Sequence, residues 1–345
     1  MKHNPLFTVC IPAYNRSQYL TPLLNSIFDQ SEQDFEVLLC EDFSTEREII
    51  ASIVKKYVEK HPGQIRYLEN ERNLGYDGNL RELIKNSNGE YCLFMGNDDL
   101  MCPDALKNVA GAIRRNPNCG VVVRSYATFE TNPSVYKQVF RYYPVELCLP
   151  PGKEAIFAAY RRSVVIPGMV IKREVALSFS TCRFDGTLLY QLYLVGMVLS
   201  KHSAVFVPQI IALRRDGVLP DFGNSIAEKG KFTPKQQTTE SSIHFVNGML
   251  KIAKYIEETT KLKVYSNILL DIGNYSYPIL SIQANRKFFV FLNYGRELAR
   301  LGFWKNPFFY VYFFTLIILG PDRSDCIIKF IKSKLGYTPK IGWVK

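Results

Sequence analysis

Apolar and polar positions along the first third of this chain alternate between two periods. Thr8 to Pro12 is a short apolar run, and Leu20, Leu23, Leu24, Ile27 and Phe28 then recur at helical spacing, which predicts a strand followed by an amphipathic helix. The same alternation returns with a strand over Phe35 to Cys40 and a helical stripe through Ile49, Ile50, Ile53, Val54, Tyr57 and Val58, stopped by Pro62 and Gly63. A third strand over Ile65 to Leu68, a helix through Leu80, Leu83 and Ile84, and a fourth strand over Tyr91 to Met95 complete the pattern. Strands joined by crossover helices predict an α/β fold. In such sheets ligands bind outside the strand carboxyl ends, so Pro12 to Arg16, Glu41 to Ser44 and Gly96 to Asp99 are expected to face one site.

Beyond Pro208 the pattern changes. Asp216 to Lys235 is polar and bears Gly and Pro, and helical periodicity then resumes through Ile243, Val246, Met249, Ala253 and Ile256. The final third reads as helices without strands, giving an expected division into residues 1–220 and 221–345. Within it, Pro307 to Gly320 is nearly all apolar but shorter than the roughly 20 residues a spanning helix needs. It reads either as a core helix or as an in-plane membrane contact, the latter supported by Arg323, Lys329, Lys332, Lys334, Lys340 and Lys345 nearby.

The 345 residues are 47% hydrophobic and 22% charged, which excludes a disordered chain. A net charge of +11 asks for an anionic partner, and nucleotide phosphates or lipid headgroups satisfy it. No nucleic-acid module accompanies that charge, so nucleic acid is not expected as a partner. The eight cysteines form no C-x-x-C pair and read as reduced core thiols, and the four histidines lack metal spacing. Met1 to Phe7 lacks the apolar region of a secretory signal, which points to the cytoplasm. There is no G-x-G turn and no P-loop, so any phosphate must be held another way.

Asp98 and Asp99, paired at a strand end, suit Mg²⁺ or Mn²⁺, which take oxygen ligands and bridge phosphates. Adjacent carboxylates also simply solvate a turn. Glu41 and Asp42 can accept from a base or ribose, or can belong to an ordinary turn. Asn73 and Gly75 read as a turn, with Asp77 as an N-cap.

As an ordered set these segments resemble the family 2 glycosyltransferases: TVCIPAYNR from Thr8, EDFST from Glu41, NLGYDGNL from Asn73, GEY from Gly89, FMGNDDL from Phe94 and PDAL from Pro103. Within that family the chain is most similar to abequosyltransferase-like O-antigen enzymes. The resemblance implies a GT-A fold, a Rossmann-like mixed sheet flanked by helices with a helical C-terminal region. It implies transfer of a sugar, with inversion, from a nucleotide-sugar donor to a carbohydrate acceptor such as a lipid-linked oligosaccharide, at the inner face of the cytoplasmic membrane. Pro12, Tyr14 and Arg16 would lie beside the nucleotide, with Glu41, Asp42, Asn79 and Asn97 also at the donor. Asp98, with Asp99 adjacent, would bind the metal.

Three departures from the family pattern stand out. Gly96 stands where an acid is common, Leu80 where a basic residue is common, and Tyr190 with Gln191 where the acidic pair supplying the catalytic base is usual. Asp185 is then the nearest upstream carboxylate able to take an acceptor proton, with Asp216 a weaker alternative and a plain turn the other reading of Asp185. A sugar nucleotidyltransferase, or a non-catalytic carbohydrate- or membrane-binding relative, are the competing functions.

Overall fold

A computed structural model describes residues 4–335. The chain order is β1 (Phe7–Ala13), α1 (Leu20–Phe28), β2 (Phe35–Glu41), α2 (Arg47–Lys60), β3 (Ile65–Glu69), α3 (Gly75–Asn86), β4 (Tyr91–Phe94) and β5 (Leu100–Met101). Then come α4 (Ala105–Arg115), β6 (Cys119–Phe129), β7 (Gln138–Phe140), β8 (Leu147–Leu149), α5 (Lys153–Tyr160), β9 (Met169–Lys172), α6 (Arg173–Ser178), α7 (Tyr190–Leu199) and β10 (Ser203–Arg215). Five helices follow without strands: α8 (Thr239–Thr260), α9 (Tyr265–Asn274), α10 (Tyr277–Ser281), α11 (Phe288–Arg300) and α12 (Pro307–Leu335).

The strands form one mixed sheet in the order β3-β2-β1-β4-β9-β6-β10-β5, with β7 on β6 and β8 on β10. β1, β2, β3 and β4 run parallel, while β9 is antiparallel to both β4 and β6. Parallel strands covered on both faces read as unbroken apolar runs, and β1 and β2 are buried almost throughout. On one face α1 contributes Leu20, Leu23, Leu24 and Ile27, each under 2% exposed and each worth roughly 1.5–3 kcal/mol of burial. On the other, α3, α5 and α7 join the C-terminal helices in a single apolar core running from Cys10 and Phe94 to Phe309 and Leu316.

Register carries the site. Ala13 pairs with Glu41 across β1–β2 and Cys10 with Phe94 across β1–β4, so the segments after β1, β2 and β4 leave the sheet at one edge. The expected convergence of Pro12 to Arg16, Asp42 and Gly96 to Asp99 follows from that pairing.

Several details differ from the sequence reading. Pro208 does not end a strand: β10 runs through it to Arg215, with register shifts against β6 at Val207 and Ile210 that accommodate the missing N–H. Asp77 is not a local N-cap but lies inside the first turn of α3, where its carboxylate accepts from the backbone N–H groups of Gly186, Thr187, Leu188 and Tyr190 at 2.9–3.0 Å. It caps α7 from another helix. Cys10, Cys40, Cys92, Cys102 and Cys119 are buried, but Cys148, Cys182 and Cys326 are exposed, because they lie on an edge strand, a turn and the last helix. Pro307 to Gly320 forms a helix with one face in the core (Phe309, Phe313, Leu316) and the other outside it. Among the described residues no helix is long and apolar enough to cross a membrane.

Asp77→Ala removes the acceptor of the Gly186, Leu188 and Tyr190 amides in and before the first turn of α7, Thr187 N keeping Phe184 O. It is expected to cost about 3 kcal/mol or more, visible as a lowered midpoint in urea unfolding.

Candidate active site

The turn after β1 holds Asn15 and Arg16 in left-handed conformation, with φ of 52° and 63°, uncommon for residues with a Cβ and costly without support. That support is polar. Asn97 Nδ2 donates to Asn15 O at 2.8 Å, Arg16 Nη1 donates to Asp98 Oδ2 at 2.7 Å, and Arg16 Nη2 donates to Leu219 O at 2.9 Å. Asp99, beside Asp98, accepts from Arg215 N at 2.9 Å, and Arg215 Nε donates to Asp98 O at 3.0 Å. Burial, and then the neighbouring Asp98 charge, push the Asp99 carboxyl up to about 8. Gly96 explains the departure noted above, since a Cβ built there collides with Asp99 Oδ2. Leu80 is 1% exposed in the core, where a basic residue would be unsolvated.

Asp42 closes β2 and grips the start of α3. Its carboxylate accepts from Asn70 Nδ2 and Leu74 N at 2.8 Å and from Gly75 N at 2.9 Å. A carboxylate has roughly four acceptor positions, so one remains for a further donor. Burial raises its pKa to about 6 against those lowering hydrogen bonds. Asn79 Nδ2 donates to Cys40 O at 3.0 Å, joining α3 to β2.

Residues 216–238 fold back over the strand ends as a flap. Asn15 Nδ2 donates to Asp221 Oδ2 at 2.7 Å, and the buried Glu228 accepts from Tyr76 N at 2.8 Å and Gly223 N at 2.9 Å. Gly75 permits this close approach: its φ is +76°, and an added Cβ would strike Ser225 Oγ. The opposite wall, Val164 to Pro167, is fixed from behind by Arg124, a fully buried guanidinium that donates to Pro167 O at 2.5 Å, Val165 O at 2.7 Å and Arg162 O at 3.2 Å. Burial lowers the Arg124 pKa.

Between these walls lies a cleft of about 370 Å³. Of the residues singled out from sequence, Pro12, Tyr14, Arg16, Asp42, Asn79, Asn97, Asp98 and Asp99 line it together. Glu41 does not. On an extended strand neighbouring side chains point to opposite faces, and Glu41 accepts instead from Phe43 N, Ser44 N and Arg47 Nε at 2.6–3.0 Å. Nor does Asp185 line the cleft: Arg81 on α3 engages both its oxygens, at 2.6 and 2.8 Å. Asp216 pairs with Lys137 at 2.8 Å, also outside the cleft. Sequence reasoning missed Arg214, Arg215, Asp221 and Glu228, which line the cleft from β10 and the flap. The arginine pair at the end of an apolar strand was the available signal; the flap acids carried none.

Glu228→Ala removes the two hydrogen bonds that Glu228 accepts, one from Tyr76 on α3 and one from Gly223 within the flap, each worth about 1 kcal/mol or more. Limited trypsin cleavage after Lys229, Lys231 or Lys235 is expected to quicken about tenfold while global unfolding shifts little.

The amino-terminal part of the chain has recognisable relatives. Residues 8–166 match the family model described as Glycosyl transferase family 2. Over 101 residues the chain is 33% identical to the abequosyltransferase RfbV of Salmonella typhimurium, covering 29% of this chain and 30% of that protein. Over 110 residues it is 36% identical to the poly(ribitol-phosphate) beta-N-acetylglucosaminyltransferase TarS of Staphylococcus aureus, covering 31% and 18% respectively. The chain thus spans less than a third of the length of these two relatives. In fold, the crystal structure of S. aureus TarS 1-349 with UDP-GlcNAc superposes with a TM-score of 0.61 at 18% identity, over 85% of this chain and 80% of that one. The mannosyltransferase PcManGT from Pyrobaculum calidifontis, with GDP-Man and Mn²⁺, superposes with a TM-score of 0.52 at 15% identity, over 92% and 88%. Motif order, family model and fold agree over the amino-terminal part: residues 8–166 match the glycosyl transferase family 2 model, and the sheet that carries them has the fold of the TarS and PcManGT structures.

Proposed function

We propose that this chain transfers a sugar from a nucleoside-diphosphate sugar to a carbohydrate acceptor, probing the donor with the cleft at the ends of β1, β2 and β4. The observation that carries the reading is the convergence there of the Asp98–Asp99 pair, Asp42 and three arginines in one small cleft. A departing nucleoside diphosphate gains negative charge, and Arg16, Arg214 and Arg215 stand beside the carboxylates to receive it. RfbV and TarS, by their names, transfer sugars, and the TarS and PcManGT structures hold nucleotide sugars.

A divalent cation, Mg²⁺ or Mn²⁺, fits the donor set. Among the described residues no three His, Cys, Asp or Glu side chains converge, but a cation of this kind takes few protein carboxylates and completes its shell with phosphate and water. Asp98 and Asp99 would hold it, since the two adjacent carboxylates line the cleft together. When bound, it would stabilise the leaving diphosphate.

The acceptor in this proposal is lipid-linked, and the chain docks on the inner leaflet through α11 and α12. Phe289 and Leu292 share a surface depression with Tyr310 and Phe314, and Phe288, Trp304, Val311 and Ile318 are exposed as well, with Phe289 79% and Ile318 75% exposed. Arg296 borders that depression, and Lys287, Arg300 and Lys305 are exposed within or next to α11, so apolar and basic residues are both present, the two ingredients of interfacial attachment. The other basic residues invoked from sequence include Lys340 and Lys345, which lie outside the described residues. Functionally the chain divides near residue 220, a catalytic part followed by a docking part, with the flap serving the first.

A thermal-shift series of UDP-, GDP-, dTDP- and CDP-sugars with Mn²⁺ is expected to pick one donor, and no stabilisation by any would sink the reading. Asp98→Asn should then reduce metal-dependent transfer at least a hundredfold with the fold retained, and Asp42→Ala should weaken donor binding more than turnover. Pyrophosphate release from a nucleoside triphosphate and a sugar 1-phosphate would instead mark a nucleotidyltransferase. For docking, Phe289→Glu with Phe314→Glu is expected to abolish flotation on anionic liposomes while leaving the core residues Phe309 and Phe313 in place. Unchanged flotation removes the membrane claim.

A further inference from the structure

A second depression opens from the cleft and is larger than it, about 1130 Å³. Val164, Val165, Arg214 and Phe245 line both, so the groove and the cleft that holds the carboxylate pair meet at this wall. Its lining is rich in aromatic rings, including Tyr126, Tyr136, Phe140, Tyr142 and Tyr275. It also holds five cations, Lys137, Arg141, Arg161, Arg162 and Arg214, against two carboxylates, Asp216 and Asp325.

The cations are not all neutralised. Lys137 and Arg214 share Asp216 at 2.8 and 3.6 Å, and Arg161 pairs with Asp271 at 2.6 Å. Among the described residues neither Arg141 nor Arg162 has an ion-pair partner. Arg162 is only 9% exposed, yet beyond one hydrogen bond from Nη1 to Ala158 O its Nε is buried with no partner at all. Its guanidinium sits over the Tyr142 ring at 5.3 Å, which fixes it as part of the groove wall. A buried cation with an unmet donor is costly unless something supplies an acceptor.

We propose that this groove binds the sugar acceptor and takes it as a phosphate-bearing glycan, with Arg162 and Arg141 receiving the phosphate and the aromatic rings bearing on the sugar rings. The inference rests on the sugar-transfer reading of the adjoining cleft. Planar, forked guanidinium donors match phosphate oxygens, and sugars present apolar faces to aromatic rings. The shared wall then sets the acceptor's reacting end at Arg214 and its anionic group farther along the groove.

The test is calorimetric titration of the full chain in three probes: farnesyl diphosphate, glucose 1-phosphate and the phosphate-free farnesol. Each is run with the cleft filled by whichever of UDP, GDP, dTDP and CDP binds with Mn²⁺. Saturable binding of either anion, weakened about tenfold or more in both Arg162→Gln and the exposed-site Arg141→Gln, supports the groove. The tighter anion then says whether the phosphate belongs to a lipid carrier or to the glycan itself. Arg141→Gln guards against a folding defect at Arg162. Binding of farnesol as tight as the diphosphate, displacement of the anions by the nucleotide, or no effect of either substitution overturns the proposal. Tight binding of a short single-stranded oligonucleotide lost in the same variants also overturns it. If none of the four nucleotides binds but the anions still do, the donor reading fails while the groove stands.

Discussion

Four backbone amides, three in the turn before α7 and one at its first residue, are met by one carboxylate from a different helix. Asp77 is 1% exposed, and a charge so far from water is tolerated only because Gly186, Thr187, Leu188 and Tyr190 each donate to it. Burial still raises its pKa to about 6, so the hydrogen bonds offset the loss of hydration only in part. Much else hangs on this joint. α3 carries Tyr76 and Asn79 to the cleft, Leu188 lines the cleft beside the capped turn, and α7 is the apolar centre on which α5 and α8 pack. Asp42 does for α3 what Asp77 does for α7, so β2, α3 and α7 are linked in series by two buried acids acting on helix amino termini.

The cleft balances charge differently. Asp98 and Asp99 are adjacent and nearly dry, burial raises the Asp99 carboxyl, and Arg16 after β1 and Arg215 at the end of β10 both engage Asp98. Arg16 can reach Asp98 only because the backbone at Asn15 and Arg16 turns left-handed, and that conformation is supported by hydrogen bonds from Asn97 and to Leu219. Backbone strain, the carboxylate pair and the flap are therefore one assembly.

Most of the parallel half of the sheet was legible from sequence, because buried parallel strands write themselves as unbroken apolar runs and their helices as stripes. Strand order then brought Pro12, Arg16, Asp42 and Asp98 to one edge without any knowledge of contacts. Glu41 shows where that reasoning stops: adjacent to Asp42 in sequence, it faces Arg47 because a strand alternates its faces, and residue spacing alone does not say which of two neighbours points inward. Asp185 shows another limit, since its capture by Arg81 joins residues far apart in the chain. The flap was read as a boundary because it is polar and irregular. Polar, irregular chain is also what a cleft cover needs when it is held by single side chains rather than by a ladder.

Arg124 gives the cleft a mechanical asymmetry. On one side, a single buried guanidinium spans three carbonyls of residues 162–167, and those hydrogen bonds are shielded from water. On the other, the flap rests on separate polar contacts, Asn15 with Asp221 and the Tyr76 amide with Glu228, that are only partly buried. The two walls of the cleft are thus held by different means, one by a single side chain reaching three carbonyls and the other by separate hydrogen bonds from several residues.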